Sequence, residues 1–137
     1  MSNKMRLRGF TLIELIVVIA LIAVLAAVVA PNLLGKADEA KRKSAAVQIE
    51  KLGNTIELYH VENGRYPEKL VDLIERPANT DTWNGPYLRK KSQLLDPWGH
   101  EIVIDVPGEH GSFDVISYGA DGRAGGDGDD ADITNWD

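Results

Sequence analysis

Five aspartates lie within twelve positions near the C-terminus, in the glycine-rich segment 119–133. Carboxylate and carbonyl oxygens are the ligands that Ca²⁺ prefers, and a calcium site takes roughly six to eight of them. Glycines let the backbone turn sharply enough to point its carbonyl groups inward. The segment therefore has the chemistry of a calcium site, although its spacing is not that of an EF-hand.

A solvated, flexible acidic tail is the alternative for this segment. Two observations favour an ordered loop. Ile133 and Trp136 are apolar residues that can anchor its far end, and the chain contains no cysteine that could form a disulfide. A small domain without that cross-link needs another one, such as a bound metal or contacts between subunits.

Glu14 is a single carboxylate within an apolar run that extends from Phe10 to Ala30. A helix of this length spans a bilayer at roughly 1.5 Å per residue, and a free charge there costs roughly 2.5 kcal/mol or more. A cut between Gly9 and Phe10 would create a partner, because the new amine of Phe10 can pair with Glu14 of a neighbouring helix. The alternative is a monomer in which the acid reaches the membrane surface.

The N-terminal sequence resembles the class III signal of the type IV pilin superfamily. It implies that a prepilin peptidase cleaves after Gly9 and that Phe10 becomes N-methylated, with Phe10, Glu14 and Pro31 serving assembly. An ordinary signal anchor would explain neither the GFTLIE run nor an acid inside the span. The resemblance rests on a basic leader followed by six consecutive residues and a distant proline: Lys4, Arg6, Arg8, Gly9, Phe10, Thr11, Leu12, Ile13, Glu14 and Pro31.

The formal charge is −6, from 15 basic and 21 acidic residues. This balance argues against a nucleic-acid-binding protein, which needs basic surfaces against phosphates. Basic residues precede the apolar run and none lies inside it, so the positive-inside rule predicts a cytoplasmic leader with the remainder outside. His60, His100 and His110 show no zinc-binding spacing, and no serine lies in a nucleophile elbow. The sequence therefore predicts a protein that is not an enzyme.

The apolar run continues into an amphipathic stretch, and together they predict one long helix over residues 10–62. Spacings of four and three residues mark its buried face, at Ala45, Ile49, Leu52, Ile56 and Tyr59. Pro31 and Gly35 predict a kink or local unwinding, and Asn63-Gly64 predicts the C-terminal cap. Charged residues fill the other faces and are expected to lie mostly in solvent: Lys36, Asp38, Glu39, Lys41, Arg42, Lys43, Glu50, Lys51 and Glu57.

The rest of the chain predicts shorter elements. We expect a short helix at 68–74, an ordered loop at 76–96, a turn at Asp96-Pro97-Trp98-Gly99, and strands at 101–106 and 112–118 joined by a hairpin turn at 107–111. The predicted fold class is α+β, in which a long N-terminal helix, transmembrane in its first half, packs against a small antiparallel sheet. This pilin-like fold ends in the Gly/Asp-rich loop. The predicted domains are a leader at 1–9, a membrane half at 10–34 and a globular domain at 35–137.

The downstream motifs resemble the major pseudopilins of type II secretion systems. This resemblance implies that the C-terminal loop binds Ca²⁺, in the place where pilins use a disulfide. It places ligands on Asp121 and Asp132 with backbone oxygens near Tyr118 and Gly126, and it leaves Asp127, Asp129 and Asp130 as further candidates. The motifs are Asp96-Pro97-Trp98-Gly99, the Pro107-Gly108 turn, Gly119-Ala120-Asp121-Gly122 through Asn135-Trp136, and Pro77, Tyr87 and Leu88 in the preceding loop.

That family implies a structural function. Subunits polymerise through their N-terminal helices into a short periplasmic filament, which drives export of folded proteins across the outer membrane. The implied partners are other copies of this chain, minor pseudopilins, an inner-membrane assembly platform and the prepilin peptidase, with no nucleic acid. Two alternatives stay open: a major type IV pilin that forms a surface fibre, and a membrane-anchored calcium-binding domain that never polymerises.

Overall fold

The computed structural model describes residues 9–137, except for the side chains of residues 32–34. The chain divides into two compact units, one that ends at Ala37 and one that comprises Asp38–Asp137. The boundary predicted from the sequence lies between residues 34 and 35. The predicted basic leader at Lys4, Arg6 and Arg8 lies outside the described residues.

Helix α1, Leu12–Asn63, is the long helix that the sequence predicts over residues 10–62. It begins at Leu12 rather than Phe10 because Thr11 caps it, with the N–H of Glu14 donating to Thr11 Oγ1 at 3.2 Å. The backbone stays helical through Pro31, so the predicted local unwinding is absent from this helix. Proline removes one backbone donor, and the neighbouring hydrogen bonds suffice here to keep the helix continuous.

The C-terminal end of α1 is capped as the sequence predicts. Gly64 has a φ of 71°, and its N–H donates to the carbonyl oxygen of His60 at 2.8 Å. Asn63 Nδ2 donates to the carbonyl oxygen of Tyr59 at 2.8 Å. Glycine takes this left-handed conformation without the clash that a Cβ would cause, so the helix ends at a defined residue.

The predicted buried face of α1 is confirmed. Ala45, Ile49, Leu52, Ile56 and Tyr59 are each at most 2% exposed. Burial of apolar surface contributes roughly 25 cal/mol per Å², so this face is a main source of stability for the second unit. The other buried apolar residues of its core lie in short helices and strands or directly before a strand: Leu70, Leu73, Ile102, Phe113, Val115 and Ile133.

Three antiparallel strands form the sheet in the order β1-β2-β3. They are β1 at Val103–Asp105, β2 at Asp114–Ser117 and β3 at Ile133–Thr134. The strands predicted at 101–106 and 112–118 were too long, because ladder pairing is confined to their central residues and Glu101 pairs instead with Leu95 in an isolated bridge. β3 was missed altogether, since a two-residue strand carries no readable alternation.

Short 3₁₀ helices occupy Leu70–Leu73, Lys91–Leu94 and Gly128–Asp130. The first corresponds to the helix predicted at 68–74. The second lies inside the segment predicted as a loop, where Gln93 Oε1 accepts the N–H groups of Arg89 and Lys90 at 3.0 Å each. One turn started by a local side-chain cap has no periodic pattern, and for that reason the sequence did not predict it.

The loop at 76–96 is ordered, as predicted, and it is attached to the elements around it. The N–H groups of Tyr87 and Leu88 donate to the carbonyl oxygen of Leu73 at 2.7 and 3.0 Å. The Tyr87 hydroxyl donates to Glu62 Oε2 at 2.7 Å. Burial raises the pKa of Tyr87, and the hydrogen bond to the Glu62 carboxylate raises it further.

Candidate functional site

Thr11 and Glu14 form a reciprocal capping box at the start of α1. The N–H of Thr11 donates to Glu14 Oε2 at 3.1 Å, and the N–H of Glu14 donates to Thr11 Oγ1 at 3.2 Å. Two backbone donors at the helix start are thereby satisfied. The sequence argument sought a partner for Glu14 on a neighbouring helix and overlooked this partner in its own chain. The Thr-x-x-Glu spacing was the signal that identifies it.

The predicted cleavage site lies just ahead of this capping box. Gly9, Phe10 and Thr11 precede the helix, and Phe10 is 91% exposed. A Cβ at Gly9 would meet no atom within 4 Å. Exposed backbone outside a helix is the preferred target of proteolysis. Cleavage between Gly9 and Phe10 stays a prediction, and the exposed residues around this bond are compatible with it.

The first half of α1 carries apolar side chains on all its faces. Between Leu12 and Val29 the large apolar side chains expose 49–77% of their surface. The most apolar stretch of 18 residues has a mean hydropathy of 3.2, and none of it is buried. Soluble monomers rarely expose a continuous apolar surface of this extent. By length and composition α1 can cross a membrane, and within residues 9–137 it is the one helix that can.

The acidic segment is an ordered loop whose far end is anchored. Ile133 is buried and pairs with Ser117 in the sheet. Trp136 stacks on His110 with their ring centroids 3.9 Å apart. Asn135 Oδ1 accepts the N–H of Val115 at 2.8 Å. The anchoring role predicted for Ile133 and Trp136 is confirmed by these contacts, which are incompatible with a free tail.

Inside the loop, the backbone closes on itself. The N–H of Ala120 donates to the carbonyl oxygen of Asp129 at 3.0 Å. Gly119 and Gly126 have φ values of 68° and 94°, and a Cβ on either would lie 2.7–2.8 Å from the carbonyl oxygen of Asp130. Glycine is therefore required at both positions, because any side chain would collide with backbone.

The five aspartates of the loop differ in their contacts. Asp121 Oδ1 accepts the N–H of Arg123 at 3.0 Å. Both carboxylate oxygens of Asp132 lie 3.0 Å from the N–H of Gly125, on the opposite limb of the loop. The other three side chains are exposed, as Asp121 is, but they make no hydrogen bond within the described part of the chain: Asp127, Asp129 and Asp130.

The loop offers hard oxygen donors, the kind that Ca²⁺ prefers. Among residues 9–137, no group of three or more His, Cys, Asp or Glu side chains is arranged to hold a metal ion. The calcium site expected on Asp121 and Asp132 with backbone oxygens near Tyr118 and Gly126 stays a prediction, and it would be a mixed site of carboxylate and carbonyl oxygens. The loop fits such a mixed site because its glycines bring carbonyl groups close to neighbouring backbone.

Two side chains from other elements hold the loop, and the sequence argument missed both. His100 Nδ1 lies 3.2 Å from the carbonyl oxygen of Gly119. Arg42 Nη1 donates to the carbonyl oxygen of Ala131 at 2.7 Å. The charged residues of this half are mostly exposed, as predicted, and Arg42 is an exception because it stands three residues before Ala45 and so borders the buried face. The periodicity that identified that face was the available signal.

Asp96 begins the turn that the sequence predicted, the turn that also carries His100. It is buried, and its Oδ1 accepts the N–H groups of Trp98 and His100 at 3.0 and 2.9 Å. Its Oδ2 accepts the hydroxyl of Ser117 at 2.7 Å. A buried carboxylate needs such donors. These bonds fix the turn that presents the ring of His100 to Gly119.

Asp114 supports the hairpin turn in a similar way. Burial acts to raise the pKa of Asp114, but hydrogen bonds from His110 and from the N–H of Glu109 outweigh it and hold the pKa below its ordinary value. His110 Nδ1 lies 2.9 Å from Asp114 Oδ2. The same ring stacks on Trp136, so the buried carboxylate helps to position the anchor of the C-terminus.

Comparison with known protein families gives two matches. The family model described as "Type II secretion system (T2SS), protein G" matches residues 32–136. The model described as "Prokaryotic N-terminal methylation motif" matches residues 4–30. The two matches together cover both units of the chain.

Curated relatives have the same description. A "Type II secretion system core protein G" of Xanthomonas campestris is 44% identical over 125 residues, which cover 91% of this chain and 87% of the relative. The Escherichia coli K12 protein of that description is 40% identical, with 94% and 90% covered. Among solved structures, the major pseudopilin from the type 2 secretion system of enterohaemorrhagic Escherichia coli matches with a TM-score of 0.64 and 31% identity, covering 77% of this chain and 91% of that one.

Proposed function

This chain belongs to the family of type II secretion system protein G, and we propose that the apolar half of α1 builds it into the secretion pseudopilus. The relatives and the related structure agree on one system and one type of subunit. The chain is therefore a major structural subunit of the type II secretion pseudopilus. That function is better supported than a surface-fibre pilin or a membrane anchor that never polymerises.

One observation carries the proposal for assembly. The apolar surface between Leu12 and Val29 is exposed on all faces, and none of its most apolar stretch is buried within the chain. Such a surface is stable in a bilayer before assembly and against the helices of other subunits after it. The filament core thus forms from copies of this segment, and the second unit stays outside.

Before assembly, the precursor is inserted in the inner membrane with its leader in the cytoplasm and its C-terminal unit in the periplasm. The basic residues ahead of the span favour this orientation. The prepilin peptidase then cuts the bond after Gly9, and Phe10 is N-methylated. The methylation motif at residues 4–30 and the exposed backbone around Phe10 support this step.

Glu14 directs the assembly of neighbouring subunits. In the single chain its Oε2 accepts the N–H of Thr11 and, at 3.4 Å, the Thr11 hydroxyl, and a carboxylate has further acceptor sites for another partner. A charge in hydrocarbon gains from an opposite charge beside it. The amine of Phe10 on a neighbouring subunit supplies that charge. The other partners of the subunit are minor pseudopilins and an inner-membrane platform. The subunit itself catalyses no reaction.

Replacing Glu14 by glutamine tests this role, because glutamine keeps the capping box and removes the charge. We expect the Glu14→Gln variant to be processed after Gly9 at the normal rate and to fail in filament assembly. Processing is measured by the shift in mass of the precursor, and assembly by cross-linking and electron microscopy of filaments.

Glu39→Gln is the matched control, since Glu39 is an exposed carboxylate of the same helix that pairs with Lys43 at 2.6 Å. This variant should assemble normally. Filaments of normal yield from Glu14→Gln would refute the charge-pairing role and leave Glu14 with a capping role alone.

The acidic loop binds Ca²⁺ as a structural clamp in this proposal. Asp121 and Asp132 supply carboxylate ligands, and backbone oxygens near Tyr118 and Gly126 supply others. Asp127, Asp129 and Asp130 are exposed and attract the cation without a fixed position. The support is the pair of carboxylates turned to the loop backbone and the glycines that let carbonyls approach. Bound calcium would offset part of the negative charge of the loop and cross-link its two limbs.

A thermal melt of the full chain in detergent, with calcium and then with a chelator, tests the clamp. A ligand at 100 times its dissociation constant that binds only the folded state stabilises it by about 2.7 kcal/mol. On a unit of this size that corresponds to a rise in Tm of roughly 10–20 °C. Asp132→Asn should remove the rise, while Asp129→Asn, an exposed residue of the same loop, should retain most of it. A Tm that does not respond to calcium would refute the metal proposal.

A further inference from the structure

Arg42 stands at the border between the buried and the solvated faces of α1. It is half-buried, whereas Lys41 and Lys43 on either side of it are exposed. Arginine binds carbonyl and carboxylate oxygens through a planar fork and loses less freedom in doing so than lysine does. A cation at this border can therefore reach a neighbouring element while its stem stays against the core.

The oxygen that Arg42 binds belongs to the exit limb of the acidic loop. Arg42 Nη1 donates to the carbonyl oxygen of Ala131 at 2.7 Å, in a partly buried contact. The N–H of Ala131 donates to the carbonyl oxygen of Gly128 at 3.4 Å. Both polar groups of Ala131 are thus engaged, and its position relative to α1 is set by the guanidinium.

Ala131 lies directly before Asp132, the carboxylate that reaches across the loop to the N–H of Gly125. Fixing the carbonyl of one residue limits the positions that the next side chain can take. The entry limb has its own attachment, from His100 Nδ1 to the carbonyl oxygen of Gly119 at 3.2 Å. The two limbs are therefore held by different elements of the same unit, and α1 holds the limb that carries Asp132.

We propose that Arg42 is the positioning residue of the calcium loop: its guanidinium binds Ala131, places Asp132 for the metal, and couples metal binding to α1. This inference rests on the calcium site proposed above. The coupling is reciprocal, because a limb already ordered by one partner costs less to order for the other.

The test compares Arg42→Gln with Lys41→Gln in the full chain in detergent. Both variants remove one positive charge from the same turn of α1, and both remove one trypsin site. Arg42→Gln alone loses the contact with Ala131. The first measurement is the calcium concentration that gives half of the maximal rise in Tm. Loss of an outer contact that orients a ligand typically weakens metal binding by roughly 10- to 100-fold, so we expect a shift of about tenfold or more in Arg42→Gln and none in Lys41→Gln.

The second measurement needs no calcium. Arg123 is exposed within the loop, so trypsin in the presence of a chelator reports how often the loop opens. Mass spectrometry follows the release of residues 124–137. We expect faster cleavage in Arg42→Gln than in Lys41→Gln. Arg42→Lys, which keeps the charge but not the fork, should fall between wild type and Arg42→Gln in both measurements.

Equal calcium midpoints for Arg42→Gln and Lys41→Gln would overturn the proposal. A wild-type chain whose Tm ignores calcium would instead refute the metal site itself. In that case the trypsin comparison still tests whether Arg42 attaches the loop to α1. Faster cleavage in Arg42→Gln than in Lys41→Gln would support this attachment, and equal cleavage would refute it.

Discussion

Ile19 and Ile56 belong to the same helix, and their exposed fractions are 58% and 0%. Ile56 is part of a face that packs on the core of its own unit, together with Leu52 and Tyr59. Ile19 is surrounded by equally exposed apolar side chains. The same residue type therefore stabilises two different states. Ile56 stabilises the folded chain, whereas Ile19 is buried only by a bilayer or by other molecules.

Polar contacts also differ between the two halves of α1: they are local in the first half and reach distant parts of the chain in the second. Glu14 binds Thr11, three positions away in the sequence, and this contact forms in any copy of the helix. Arg42 binds Ala131, 89 positions away, and this contact exists only after the second unit has folded. The first half of α1 is thus structured locally and completed by assembly, while the second half is completed by its own chain.

The largest expected effect comes from replacing matched isoleucines in the two halves. Ile56→Ala should lower the free energy of unfolding by roughly 2–5 kcal/mol, because it removes a buried side chain and leaves a cavity. Ile19→Ala should change it by less than about 0.5 kcal/mol, since the side chain is exposed. Denaturant unfolding of the full chain in detergent measures both.

Filament yield per folded subunit should show the reverse order, with a larger loss for Ile19→Ala than for Ile56→Ala. Ile19→Ala removes contact area between apolar helices, so its effect belongs to assembly rather than to unfolding. If Ile19→Ala destabilised the isolated subunit as strongly as Ile56→Ala, the distinction between the two halves would be wrong.

The sequence predicted those features that depend on neighbouring residues. Ala45, Ile49 and Ile56 could be assigned to one face because helical periodicity is a local property. Gly64 could be assigned to a cap because a positive φ favours glycine wherever it occurs. The capping box of Thr11 and Glu14 was equally local, and it was overlooked because the search was for a partner on another helix.

The rest depends on contacts between distant parts of the chain. β3 has two residues, and it is a strand because β2 pairs with it, which no pattern within Ile133–Thr134 can show. The contact between Arg42 and Ala131 needs the register of the whole unit. Asp121 and Asp132 were singled out by the family resemblance, and their role as metal ligands stays a prediction; their hydrogen bonds to Arg123 and Gly125 depend on the folded loop and could not be read from the spacing.

The smallest expected effects come from two glycines, Gly53 inside the second half of α1 and Gly64 directly after its last residue, and they should have opposite signs. At both Gly53 and Gly64 a Cβ would meet no atom within 4 Å, so packing does not distinguish them. Gly64→Ala should destabilise the unit by about 1 kcal/mol, because its φ of 71° is left-handed. Gly53→Ala should stabilise it by up to about 1 kcal/mol, because alanine favours a helix interior. Paired denaturation curves resolve this difference, and destabilisation by Gly53→Ala would mean that this face of α1 is covered in the folded subunit.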